Sequence, residues 1–224
     1  MFRQPLFIAN AAFHGERSRS MALRIVCGFL GTSLIRQLHH LRKSVHEILG
    51  TPTLYNLLGS KGAILYGLLN RTMDQFEAAT ATPESGDPYE QALTAATTVA
   101  RVYVQDSADL RPLWRFELGV IEPEHRPVLM NRALKFWASR LGALARAGRL
   151  PKGVGLPDLA REYQIFFAGV LDLWVQNELS DAQLEAQVRY GILLRLLALG
   201  DSEEHARLMA DLRKTHQRLH AMDA

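Results

Sequence analysis

The sequence predicts an all-α fold, and three observations carry the prediction. No stretch alternates apolar and polar residues cleanly between hairpin turns, as an amphipathic strand would. Apolar residues recur instead at helical spacing over long windows. The windows begin at capping residues and end at glycine or proline, the usual punctuation of helices. The 224 residues are enough for a small head, 1–61, followed by a larger body, 62–224.

The body's elements are expected in the following order. From Ser60 to Thr80, Ile64, Leu65, Leu68, Leu69, Met73 and Phe76 form one apolar stripe. Thr82 to Asp87, rich in Pro, Ser and Gly, is a loop. Asp87 is placed to cap the next helix, with Pro88 at its first position and Glu90 three residues on, and the helix runs to about Asp106. Arg111 to Ile121 reads as a short helix around Trp114, Phe116 and Leu118. Pro123 and Pro127 punctuate the start of a long helix that ends near Gly148, before a turn rich in glycine and proline. Helices at Pro157–Glu178, Ser180–Leu199 and Asp201–His220 complete the chain, with Ser180 and Asp201 as N-caps.

Two of these helices carry more apolar surface than one face requires. Within Pro157–Glu178, Leu159, Tyr163, Phe166, Val170 and Trp174 form one stripe, and Ala160, Phe167, Leu171 and Val175 form another. The next helix carries Leu184, Val188, Ile192 and Leu196 beside Tyr190, Leu193, Leu194 and Leu197. A surface helix needs one apolar face. The second face is expected to pack on another copy as a four-helix bundle, with Phe166, Val170, Trp174, Val188, Ile192 and Leu196 in the homodimer interface. The alternative is that both helices are central to the core of a single chain.

Composition narrows the functional classes. No window offers about 18 consecutive apolar residues, and the apolar run Arg24–Leu30 is brief, so neither a membrane span nor a leader is expected. The lone Cys27 can form neither an internal disulfide nor a cysteine metal cage, which fits a reducing, cytoplasmic setting. The net charge of +3 is unevenly spread. Residues 1–61 hold eight Lys or Arg against Glu16 and Glu47, a balance of +6, which leaves −3 on the rest. A basic head on a mildly acidic body is the asymmetry expected when the head alone meets a polyanion.

The segment Gly50–Leu69, GTPTLYNLLGSKGAILYGLL, carries the sharpest signal. Thr51 is placed to cap a short helix with Pro52 at its first position; that helix ends at Gly59, and Ser60 caps the next at once. Lys61 in a first helical turn opposes the helix dipole, which is tolerable beside an anion. Two closely spaced helix N-termini also offer amide donors to phosphate oxygens. Thr51, Thr53, Tyr55 and Asn56 put short polar or aromatic tips on a two-turn helix, consistent with entry into a major groove.

At Thr53, Leu54, Tyr55, Asn56, Gly59, Ser60, Lys61, Leu65 and Leu69 the segment resembles the end of the helix-turn-helix of TetR/AcrR-family transcriptional regulators. The resemblance implies a TetR-like fold, a helix-turn-helix head plus a helical ligand-binding and dimerisation domain. It implies that Thr51, Pro52, Thr53, Tyr55, Asn56, Ser60 and Lys61 contact a double-stranded DNA operator, and that the body takes a small hydrophobic or aromatic effector. The expected function is then a ligand-responsive repressor without cofactor or catalytic residues. Leu58 and Gly62 stand where the family has a large aromatic and an acid, and 1–43 does not keep the family's spacing. A dimeric helical small-molecule binder that has lost operator recognition is therefore the alternative, and a helical enzyme with an apolar active site is the third reading.

Other chemistry finds little support in the spacing. His39, His40, His46 and Glu47 lack HExxH spacing or a completing acid or cysteine, so no metal site is expected. No Ser/His/Asp or paired-carboxylate arrangement is legible. The body is rich in aromatic residues, among which Tyr103, Trp114, Phe116, Trp137, Phe167 and Trp174 are candidates to line a pocket together with His125. Arg115, Glu117, His125 and Asn177 are its candidate polar handles.

Overall fold

A computed structural model describes residues 60–81, 86–118 and 124–223. All regular structure among them is helical: α1 (Lys61–Ala79), α2 (Pro88–Gln105), α3 (Ser107–Leu118), α4 (Arg126–Arg146), α5 (Leu156–Val175), α6 (Asp181–Leu197) and α7 (Ser202–Asp223). The chain divides into two compact units, Met1–Ile64 and Leu65–Ala224, with the division inside α1. Among the described residues, no helix is long and apolar enough to cross a membrane.

Local chemistry sets the helix ends. Ser60 Oγ accepts from the Ala63 amide at 3.1 Å, which satisfies one of the donors left free where α1 begins. Asp87 caps α2 by accepting from the Tyr89 amide at 3.0 Å, with Pro88 at the first position. Ser180 and Gln183 form a reciprocal capping box at the start of α6. Asp201 accepts from the Glu204 amide at 3.2 Å where α7 starts. The short third helix begins at Ser107 rather than near Arg111, so Pro112 lies inside it. As the sixth residue of the helix, Pro112 lies past the first turn and, lacking an N–H, cannot donate to the Ala108 carbonyl, a local cost that the packing of the helix must offset.

The body packs α4 against α5, α2 against α6 and α4, and α6 against α7. Its centre is built from large side chains of several helices: Tyr89, Leu93, Leu141, Leu144, Tyr163, Trp174 and Ile192 are almost wholly removed from solvent. Burying a side chain of this size contributes about 1.5–3 kcal/mol of transfer free energy. Charged pairs rim the core. Arg132 on α4 reaches Asp74, Glu77 and the Asn70 carbonyl on α1. Arg189 on α6 pairs with Asp211 on α7, and Arg101 on α2 with Glu185 on α6.

The second apolar faces of α5 and α6 have a different destination from the expected one. Trp174, Val188, Ile192 and Leu196 are 0 % exposed within the single chain, and Val170 is buried as well. They fill the chain's own core, between α2, α3 and α7, and retain no surface for a second copy. Phe166 alone of the expected interface set keeps partial exposure. Its ring lies over Gly191 of α6, where a Cβ would come within 2.3 Å of Phe166 Cζ. The Arg195 guanidinium covers that ring at 4.1 Å from its centroid. The large apolar side chains that α5 and α6 do present to solvent are Ile165, Leu173 and Leu194.

Candidate ligand pocket

Five helices converge on a cavity of about 50 Å³, room for a few water molecules. α1 contributes Met73 and Phe76, and α2 contributes Val99 and Tyr103. Trp114 and Glu117 come from α3; Gln164, Phe167, Ala168 and Leu171 come from α5. The remaining wall is α4, with Arg126, Met130, Ala133, Phe136 and Trp137. Each helix supplies residues three, four or seven apart, the spacing that puts side chains on one helical face.

The aromatic walls touch one another. Phe76 and Tyr103 have centroids 5.0 Å apart, and Tyr103 meets Trp114 edge-on at 5.8 Å. Trp137 lies 4.5 Å from Phe167 and meets Phe136 edge-on at 5.0 Å. These separations fall within the attractive range for tilted and edge-to-face rings. They set aromatic rings beside the aliphatic and thioether side chains of Met73, Val99, Met130, Ala133, Ala168 and Leu171 around the space.

Polar groups of Glu117, Arg126, Tyr103, Gln164 and Trp114 interrupt the apolar lining. Glu117 is 1 % exposed and accepts one bond, from Arg126 Nε at 2.7 Å. The arginine end of this pair is different, with 41 % of its side chain in solvent. Burial pushes the Glu117 carboxyl above its ordinary pKa, and the Arg126 charge and hydrogen bond oppose the rise. Burial, reinforced by the Glu117 charge, likewise raises the Tyr103 hydroxyl well above its usual value. Gln164 is satisfied: its Nε2 donates to the Met130 carbonyl at 2.7 Å, and its Oε1 accepts from Arg161 at 2.6 Å. Trp114 Nε1 is buried and has no hydrogen-bond partner among the described residues. A buried unpaired donor carries a desolvation penalty that a bound acceptor would remove.

Of the residues predicted to line a pocket, Tyr103, Trp114, Trp137 and Phe167 do so, and Glu117 is the polar handle that joins them. Trp174 does not line the cavity. It stands behind Tyr103, 5.8 Å away, with its indole N–H committed to Asp181. His125 lies outside as well, with its ring 5.7 Å from that of Tyr66. Arg115 and Asn177 are turned to the end of α5, where they bond the Val175 carbonyl and Arg111. Phe116 falls in α3, and its side chain is outside the described residues. Sequence reasoning missed Arg126, Met130, Gln164 and the wall from α1. The signal for Met73 and Phe76 was present in their apolar stripe, but periodicity does not separate a cavity wall from ordinary core.

Thr51, Pro52, Thr53, Tyr55 and Asn56, expected to face DNA, lie outside the described residues. Ser60 is exposed and acts as the cap of α1. Lys61 is the first residue of that helix, and its side chain is outside the described residues. Among known proteins, no family model, no curated protein and no solved structure matches the chain.

Proposed function

We propose that the chain is a ligand-responsive, DNA-binding transcriptional regulator that works as a homodimer and represses until an effector occupies its helical body. The observation that carries the reading is the aromatic cavity around Glu117, together with the identity of one of its walls. Met73 and Phe76 stand on α1, the same continuous helix that opens at Ser60 and Lys61, where the sequence resembles a family of DNA-binding regulators. Twelve residues, just over three turns, separate Lys61 from Met73. A ligand that displaces either side chain acts directly on the helix bearing the proposed phosphate contact.

Such a switch needs a ligand with different affinity for two states of the protein; equal affinity would shift nothing. In a dimer the two heads must match successive major grooves, so a small change at α1 alters the fit to DNA. The exposed face of α5 supports the dimer. Ile165, Gly169 and Leu173 recur at four-residue spacing, and exposed Arg161, Glu162 and Asp172 flank them with both signs of charge. A patch that meets its own copy must complement itself, and mixed charge around an apolar stripe does so. The opposite face of the same helix carries Gln164, Phe167 and Leu171 on the cavity wall.

The test is a salt-dependent mobility shift on the DNA upstream of the protein's own coding sequence. Lys61→Ala is expected to weaken binding to all sequences and to lower the salt slope by about 1, as loss of one phosphate contact does. Tyr55→Ala is expected to weaken operator binding selectively. Unchanged binding in both variants rejects the placement of the head. The departures at Leu58, Gly62 and 1–43 favour a second reading, a helical small-molecule binder without operator recognition. Saturable ligand binding with no DNA shift at low salt would establish it.

A further inference from the structure

We infer that the cavity selects organic cations: a protonated amine or quaternary ammonium on a small apolar body, held by the Glu117 carboxylate within a box of aromatic rings. This rests on the reading of the cavity as the effector site and names the chemistry of that effector.

The charge distribution decides the sign. Among the described residues, Glu117 is the one charged side chain of the lining that is sealed, at 1 % exposure, and its one bond is from Arg126. Arg126 has 41 % of its side chain in solvent, so it can turn outward and be hydrated while Glu117 cannot. A cation entering the cavity therefore replaces a counter-ion that has somewhere else to go. An entering anion has no such exchange available, because it would share the space with a carboxylate that stays. The rings act in the same direction. Tyr103, Trp114, Phe136, Trp137 and Phe167 surround the space, and ring faces attract ammonium groups most strongly where water is excluded. Trp114 Nε1, buried and unpaired among the described residues, adds a preference for a ligand that also carries an acceptor such as an ether or hydroxyl oxygen.

The space of about 50 Å³ accepts only a few heavy atoms as it stands. Met73 and Met130 form part of the lining and are the side chains suited to give way, since methionine is unbranched and re-packs through three rotatable bonds. Their withdrawal would admit a body of phenyl size, and for Met73 it engages α1.

The experiment uses the full chain and three probes of matched size: benzylamine, benzyl alcohol and benzoate. Binding is read by calorimetry and by the fluorescence of the cavity tryptophans, in the absence of DNA. The expected order is benzylamine at least about tenfold tighter than benzyl alcohol, with benzoate weakest. Glu117→Gln is expected to bring benzylamine down to the level of the alcohol while leaving the alcohol within about twofold of the original protein. Arg126→Gln, which removes the competing internal cation, is expected to tighten benzylamine several-fold. Lowering the pH through the titration of Glu117 is expected to weaken benzylamine, which keeps its own charge throughout.

The inference is overturned if benzoate binds best and loses affinity in Arg126→Gln, or if Glu117→Gln leaves the amine-to-alcohol ratio unchanged. It is overturned equally if no probe binds. The ranking in the unaltered protein requires no variant to fold. Because no step involves DNA, failure of cation selection and failure of operator binding are separately visible.

Discussion

Trp174 donates its indole N–H to Asp181 Oδ1 at 2.8 Å, across the turn that joins α5 to α6. Arg111 of α3 reaches the same carboxylate oxygen at 2.6 Å, donates to the Trp174 carbonyl at 2.8 Å and lies 4.5 Å over the Trp174 ring. Three helices are thus tied at one point. Asn177 makes the reversal possible by taking a left-handed conformation, φ 65°, which asparagine tolerates better than most side chains. Trp174 is withdrawn from the cavity because its polar edge is engaged here.

Asp181→Asn is expected to destabilise the body by about 1–2 kcal/mol, the range for charged hydrogen bonds reduced for partial exposure. Burial acts to raise the Asp181 pKa, but the bonds from Arg111, Trp174 and Ser107 win and hold it below its ordinary value. An acid whose folded pKa is depressed stabilises the fold above its unfolded pKa, and that stability is lost as pH falls through the folded value. Urea unfolding of the original protein and the variant should therefore differ at pH 7 and converge in strong acid. An equal difference at both pH values refutes this role.

Glu117 works in the opposite direction. Burial raises its pKa, so the folded state holds its proton longer than the unfolded chain does. Its contribution to stability therefore declines as pH rises from the unfolded pKa through the raised folded one. Glu117→Gln is expected to stabilise the folded protein at neutral pH by on the order of 1 kcal/mol, because a sealed charge with one partner is replaced by a neutral amide of similar shape. Thermal melts at pH 7 measure the difference. A marked loss of stability instead would identify the Glu117–Arg126 pair as a structural tie between α3 and α4.

Gly191 is required by Phe166. A Cβ at this position would stand 2.5 Å from Phe166 Cε2 and closer still to Cζ, so Gly191→Ala must push the ring outward and off the Arg195 guanidinium. Overpacking of this kind typically destabilises by about 1–3 kcal/mol. The gain in helix propensity, up to about 1 kcal/mol, offsets only part of it. In a double-mutant cycle by chemical denaturation, Gly191→Ala should be harmful alone and neutral or favourable with Phe166→Ala. Harm that persists without the ring rules out the steric account.

Ile165→Glu combined with Leu173→Glu is expected to convert a dimer to a monomer with little change in the melting of the single chain, since both side chains are exposed on α5. Light scattering after size exclusion reads the mass. A dimer that survives both changes is not assembled through this face.

Much of the body was legible in sequence because its signals are local. Ser60, Asp87, Ser180 and Asp201 satisfy amides two or three residues away, and the periodicity of apolar residues reports helices without reference to the rest of the fold. The two-faced pattern of α5 and α6 was legible too, but its meaning was not. A stripe such as Val188–Ile192–Leu196 records that a face is buried and not what buries it, and here the chain's own helices do so. The apolar residues left in solvent, Ile165, Leu173 and Leu194, looked no different in sequence from their neighbours.

Local chemistry along the chain is enough to give the all-helical class of the described body, the order of its helices and most of their ends, because each depends on side chains within a turn of one another. Which aromatic residues surround a cavity, the commitment of Trp174 to Asp181, and the sealing of Glu117 while Arg126 keeps 41 % of its side chain in solvent came from the packing of the helices. Those facts depend on which helix faces meet. Residues such as Phe76, Tyr103, Phe136 and Phe167 lie far apart along the chain, and their closeness follows from packing five helices around one space.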